Sequence, residues 1–129
     1  MAKILIIEDD QFLADILMNN LSQGEPWDLE LATTGDTGLE KMRAAKPDLL
    51  LLDLVLPGID GYEVLRQMKA DPALADIRVL ILSNLGQKTE VSKGIELGAE
   101  DFFIKSNNDV DDIRRKVKEL LAKRAPSKH

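Results

Sequence analysis

Three short blocks, Ile4-Leu5-Ile6-Ile7, Leu49-Leu50-Leu51-Leu52 and Val79-Leu80-Ile81-Leu82, are apolar at every position. A strand with one face in water alternates apolar with polar residues, so unbroken runs of this length belong to strands covered on both faces by helices. They predict central strands of a parallel sheet. Trp27-Asp28-Leu29-Glu30-Leu31 does alternate, which places a strand at an edge of the same sheet. Phe102-Phe103-Ile104 is a fifth, shorter candidate.

Helical periodicity fills the intervals between these blocks. Leu13, Ile16, Leu17 and Leu21 share one helical face, as do Val64, Leu65 and Met68. The stripe Val110, Ile113, Val117, Leu120 and Leu121 marks a last helix, with Asp109, Asp111 and Asp112 near its start and Lys123 and Arg124 near its end, as the helix dipole favours. Strand and helix alternate five times, with no internal repeat. This reads as one α/β domain over residues 1–124 with strand order 2-1-3-4-5. Residues 125–129, Ala125-Pro126-Ser127-Lys128-His129, read as a tail or the start of a linker.

Composition narrows the function. The chain has 129 residues, enough for one core, and Lys+Arg 17 against Asp+Glu 23 gives a net charge of −6. Such a surface is repelled by a phosphodiester backbone, which argues against direct nucleic-acid binding. The absence of cysteine excludes disulfides and thiolate metal sites. No apolar run approaches the roughly 20 residues of a membrane span. Met1-Ala2-Lys3 leads straight into the first apolar block without a secretory signal, so a cytoplasmic location is expected.

In an open doubly wound sheet the ligand site lies beyond the carboxyl ends of the strands, where the strand order reverses. At that rim the first strand runs into Glu8-Asp9-Asp10, the third into Asp53, the fourth into Ser83 and the fifth into Lys105. Carboxylates converging in one cleft repel one another unless a cation sits between them. Oxygen donors without His or Cys favour Mg²⁺ or Mn²⁺. Asp9 and Asp53 are the expected direct ligands, with Glu8 acting through a water and the Val55 backbone carbonyl completing the shell. With a cation in place, an Asp53 oxygen can attack phosphorus in line, and Lys105 and the Ser83 hydroxyl can hold the phosphoryl oxygens.

Together these residues resemble a known family. Lys3 through Asp10, Pro47-Asp48-Leu49, Asp53 through Gly58, Asp60-Gly61, Ser83, and Gly98-Ala99 before Phe102 through Lys105 match, in order and spacing, the receiver domain of two-component response regulators, the chemotaxis-regulator-like kind. The resemblance covers nearly the whole chain. It implies a flavodoxin-like doubly wound (βα)5 fold with a five-stranded parallel sheet. It also implies phosphorelay signal transduction, in which Asp53 takes a phosphoryl group from a histidine kinase or phosphotransfer protein in a magnesium-dependent step. Glu8 and Asp9 then resemble the acidic metal pair, Ser83 the hydroxyl switch, Lys105 the phosphate-binding lysine and Phe102 the aromatic switch.

The resemblance further implies a phosphoacceptor signalling domain rather than an enzyme, with self-catalysed phosphotransfer and autodephosphorylation. Its output face would be the fourth helix, fifth strand and fifth helix, acting on a downstream effector or on a C-terminal output domain absent here. A phosphorylation-dependent dimer is a further expectation. With no output domain after Leu121, the chain is expected to be a stand-alone messenger or an excised receiver. In the family, phosphoryl lifetime depends on the residues at Val55 and Leu85, neither of which can hydrogen-bond an attacking water; the group should be long-lived.

Two positions depart from the family. Ser106 stands where a proline joined by a cis peptide is usual, and a cis bond before a non-proline residue costs roughly 2.5–4 kcal/mol. Asn84 stands where a small residue is frequent. Blander readings exist for individual residues: Asp9 and Asp10 as helix caps, Phe102 and Phe103 as core, and Gly35, Gly38 and Gly86 as turn and cap residues. Rival functions are a flavodoxin-like cofactor carrier, a metal-dependent aspartyl-phosphate phosphatase and an unphosphorylated receiver-like scaffold. The first would want a neutral, glycine-rich first loop and the second another carboxylate soon after Asp53, where Leu54 and Val55 stand instead.

Overall fold

The computed structural model describes residues 1–83, 88–104 and 110–122, with the side chains of Ser83, residues 88–91, Ile104 and Val110 outside that description. Five strands alternate with five helices: β1 Lys3–Ile7, α1 Gln11–Leu21, β2 Asp28–Ala32, α2 Gly35–Ala44, β3 Leu49–Asp53, α3 Gly61–Ala70, β4 Arg78–Ser83, α4 Lys88–Glu96, β5 Asp101–Ile104 and α5 Val110–Ala122. The strands form one parallel sheet in the order β2-β1-β3-β4-β5. This is the doubly wound α/β architecture expected from the apolar blocks.

The all-apolar strands divide their side chains between two cores. Leu5, Ile7, Leu50, Leu52, Val79 and Ile81 face α2 and α3, meeting Leu39, Met42, Val64, Leu65 and Met68. Ile4, Ile6, Leu49, Leu51, Leu80 and Leu82 face α1 and α5, meeting Leu17, Leu21, Ile113, Val117 and Leu120. The period-2 pleat thus uses every position of the blocks Ile4–Ile7, Leu49–Leu52 and Val79–Leu82, which explains why none of these is polar.

β2 lies at one edge and carries the alternating sequence. Glu30 Oε2 is 3.0 Å from Lys41 Nζ and Glu30 Oε1 is 3.1 Å from Lys3 Nζ. The hydrogen bond from Lys41, then that from Lys3, holds the Glu30 carboxyl below the usual carboxylate range, and the bond to Glu30 raises the Lys3 ammonium.

The structure corrects the reading of Gly35 and Gly38 as turn and cap residues. Thr34 is the cap of α2, its hydroxyl accepting from the Thr37 N–H at 3.1 Å, and Gly35 is the first residue of the helix. Gly38 lies inside α2, where a Cβ would stand 2.3 Å from Ile7 Cδ1. Its role is close approach of helix to sheet, at the usual helical cost of glycine. Gly86 lies outside the described residues.

Candidate functional site

The register fixes where the site must be. Ile7 of β1 pairs with Leu52 of β3, and Leu52 pairs with Ile81 of β4. Glu8 and Asp53 directly follow Ile7 and Leu52, so the two carboxylates emerge side by side at the end of adjacent strands. Here β2-β1 and β3-β4-β5 diverge, the switch point of the sheet.

One carboxylate oxygen from each of Glu8, Asp9 and Asp53 lies within 4.8 Å of the other two. Glu8 is 1% exposed and Asp53 6%, the two buried acidic side chains among the described residues, whereas Asp9 is exposed. Like charges gathered this close repel one another, and burying two of them costs energy unless hydrogen-bond donors or a cation offset it. Backbone N–H groups supply part of this: the Asp10 N–H donates to Glu8 Oε2 at 3.1 Å and the Val55 N–H to Asp53 Oδ1 at 3.2 Å. An all-oxygen donor set with two buried carboxylates and one facing solvent fits a hard divalent cation.

Asp9 and Asp10, which share the alternative reading as helix caps, have different tasks. Asp10 is the N-cap of α1, its Oδ1 accepting from the Leu13 N–H at 3.2 Å. Asp9 joins the carboxylate group instead. The capping interpretation holds for one member of the pair only.

The segment after Asp53 is pinned from both sides. Leu54 and Leu56 are buried in the core while Val55 between them is 73% exposed beside the cleft. The Gly61 N–H then donates to the Leu54 carbonyl at 3.0 Å, and a Cβ on Gly61 would stand 2.6 Å from the Asp53 carbonyl oxygen. Asp60 caps this same helix, accepting from the Glu63 N–H at 2.9 Å. Sequence inspection noted Asp60-Gly61 as a motif but missed its job of seating α3 on the Asp53 backbone.

Of the remaining expected residues, Ser83 ends β4 one step beyond Leu82, the partner of Asp53 in the sheet; its side chain lies outside the description. Lys105 and Ser106 lie outside the described residues, as do Asn84, Leu85, Asp109, Lys123 and Arg124. Phe102 pairs with Ile81 and is 38% exposed, outside both cores, whereas Phe103 is 8% exposed within the α1–α5 core. The shared reading of these two as core holds for Phe103 alone.

No helix among the described residues is long and apolar enough to cross a membrane. Residues 4–118 match the family model of the response regulator receiver domain. Over 119 residues the chain is 39% identical to sporulation initiation phosphotransferase F of Bacillus subtilis, covering 92% of this chain and 93% of the relative. Over 121 residues it is 37% identical to the DNA-binding dual master transcriptional regulator RpaA of Synechocystis sp., covering 94% of this chain but 49% of the relative. The chain thus spans about half the length of RpaA. The crystal structure of the Mn²⁺-bound form of response regulator Rcp1 superposes with a TM-score of 0.80 at 26% identity, covering 98% of this chain and 100% of that one. The sheet order, the acidic rim and these matches together lead to one conclusion: the chain belongs to the response regulator receiver domain family of two-component signalling.

Proposed function

We propose that Asp53 accepts a phosphoryl group from the phosphohistidine of a histidine kinase or phosphotransfer protein. The observation that carries this reading is the gathering of Glu8, Asp9 and Asp53 oxygens within 4.8 Å at the switch point. An Asp53 oxygen attacks phosphorus, the P–N bond to the donor imidazole breaks, and the imidazole leaves after taking a proton. The relative named a phosphotransferase, matched along nearly its whole length, supports the same direction.

Asp9 and Asp53 would hold Mg²⁺ directly, with Glu8 acting through a water and the Val55 carbonyl completing the set. Mn²⁺ is an alternative, in keeping with the Mn²⁺-bound Rcp1. When bound, the cation neutralises the clustered carboxylates and the phosphoryl oxygens. The chain's own residues do the rest. The Val55 N–H orients the Asp53 carboxylate, and Gly61 fixes the backbone behind it. Ser83 and Lys105 bind the phosphoryl oxygens, and the strand-four loop and Phe102 then shift the α4-β5-α5 face toward an effector or output domain.

Transfer of labelled phosphate from a small phosphodonor with Mg²⁺ tests the reading. The native chain should take label and Asp53→Asn should not. A native chain that takes none leaves the unphosphorylated scaffold as the better description.

A further inference from the structure

Among the described side chains of helix α4, residues 92–96, few reach the core. Ser92, Lys93, Ile95 and Glu96 are exposed, and of residues 92–96 only Gly94 is buried. A Cβ on Gly94 would stand 2.2 Å from Ile81 Cδ1, so the helix approaches β4 through the absence of a side chain. Two contacts from α3 supplement this. Lys93 Nζ lies 4.5 Å from the centre of the Tyr62 ring. The Lys69 side chain crosses Gly98, where the chain leaves α4 at φ +111°, and its ammonium donates to the Ala75 carbonyl at 2.8 Å.

Tyr62 directly follows Gly61, the residue seated on the Asp53 and Leu54 backbone. Its ring also packs against the α2–α3 core. A short physical path therefore runs from Asp53 through Gly61 and Tyr62 to Lys93 on the face of α4.

We infer that the Tyr62–Lys93 contact is a latch that holds α4 in its resting position and thereby opposes phosphoryl binding at Asp53. The inference rests on the proposed role of Asp53. The described half of α4, residues 92–96, buries only Gly94, and a segment so lightly buried belongs to the more easily opened part of a domain, where one surface contact changes populations measurably. A cation over an aromatic ring at an exposed site shifts such an equilibrium about two- to fivefold. The inferred coupling is that a group added at Asp53 shifts the segment against which Gly61 rests, and with it the neighbouring Tyr62 ring relative to Lys93. By linkage, removing the latch must tighten phosphoryl binding by the same factor.

The test uses the full chain with Tyr62→Leu, Tyr62→Phe, Lys93→Met and the Leu–Met double variant. One readout is amide hydrogen exchange at residues 92–97 without any phosphodonor. The other is affinity for beryllofluoride, a phosphoryl mimic, with Mg²⁺. Tyr62→Leu and Lys93→Met should each speed exchange at 92–97 about two- to fivefold, leave α1 and α5 unchanged, and tighten beryllofluoride binding by a similar factor. Tyr62→Phe, which keeps the ring, should stay nearer the native chain than Tyr62→Leu, and the double variant should go no further than either single change. Native exchange in both single variants overturns the latch. Faster exchange with unchanged beryllofluoride affinity overturns its control of Asp53. A native chain that binds no beryllofluoride removes the Asp53 reading and the link to it, while exchange alone still decides whether the contact holds α4.

Discussion

Gly61 and Asp53 are in backbone contact across the carboxyl rim: any Cβ at 61 would stand 2.6 Å from the Asp53 carbonyl oxygen and 2.8 Å from Leu54 Cα. Both obstacles are main chain and cannot rotate away. Gly61→Ala must therefore move either α3 or the segment after Asp53. The expected loss is about 1–3 kcal/mol, the usual range for overpacking, measured by urea denaturation. Phosphoryl acceptance should slow along with it, because the Val55 N–H that orients the Asp53 carboxylate sits on the displaced segment. Native stability in the variant would contradict the packing described.

The three clustered carboxylates predict a gain in stability when Mg²⁺ is added. A cation bound only to the folded chain stabilises it by about 1.4 kcal/mol at tenfold excess over Kd. Asp9→Asn should raise the stability of the metal-free chain, since one repulsive charge is gone, and should lose most of the Mg²⁺ response. Thermal denaturation with and without Mg²⁺ measures both. An Asp9→Asn chain that responds like the native one would remove Asp9 from the site.

Asp10→Ala should behave in the opposite manner. Loss of the α1 cap costs about 1 kcal/mol, yet Glu8, Asp9 and Asp53 are untouched and the Asp10 N–H still reaches Glu8. The Mg²⁺-induced rise in melting temperature should therefore survive. Its disappearance would show that Asp10 takes part in cation binding after all.

Lys116 of α5 and Asp101 of β5 are 3.0 Å apart and both half-buried. The hydrogen bond to Asp101 holds the Lys116 ammonium above its ordinary value. A raised folded-state value means that the pair's contribution is complete below about pH 10.5 and is lost as pH rises through the folded value. Lys116→Met should cost about 0.2–1 kcal/mol near neutral pH and flatten the alkaline loss of stability. An unchanged alkaline profile would count against the pair.

Phosphoryl lifetime gives a further test. The exposed Val55 side chain stands beside the acidic cleft and offers an attacking water no hydrogen bond. Labelled chain should keep its phosphoryl group for minutes or longer at neutral pH, and Val55→Asn should shorten that time. Loss of label within seconds from the native chain would refute the expectation.

The fold was legible because the strands announce themselves: residues such as Leu49 to Leu52 have helices on both faces, and burial on both faces leaves no polar position. The acidic site was legible for the same reason, since Glu8 and Asp53 mark where those runs stop. Asp9 is expected in the carboxylate group, but local pattern alone leaves the capping of α1 open to both Asp9 and Asp10; the direction each takes after the strand ends gives it to Asp10. Nor could local pattern show that Gly38 and Gly61 face Ile7 and the Asp53 backbone, because each meets its neighbour only once a helix is laid on the sheet. Phe102 and Phe103 differ only by which side of the sheet each occupies, a matter of register. The meeting of Tyr62 with Lys93 across two helices leaves no trace in the period of either.

The outer strand β2 has a consequence for how this molecule coexists with copies of itself. Its unpaired flank is a template to which another chain's strand could add, and natural sheets guard such flanks with charge. Here the guard is the run of Asp28 and Glu30 with Lys3 and Lys41. An incoming strand would have to strip water from that ladder. Because Lys41 and Lys3 hold the Glu30 carboxyl low, the guard stays charged into mildly acidic solution, and fibril-like stacking through this flank is opposed wherever the domain is concentrated.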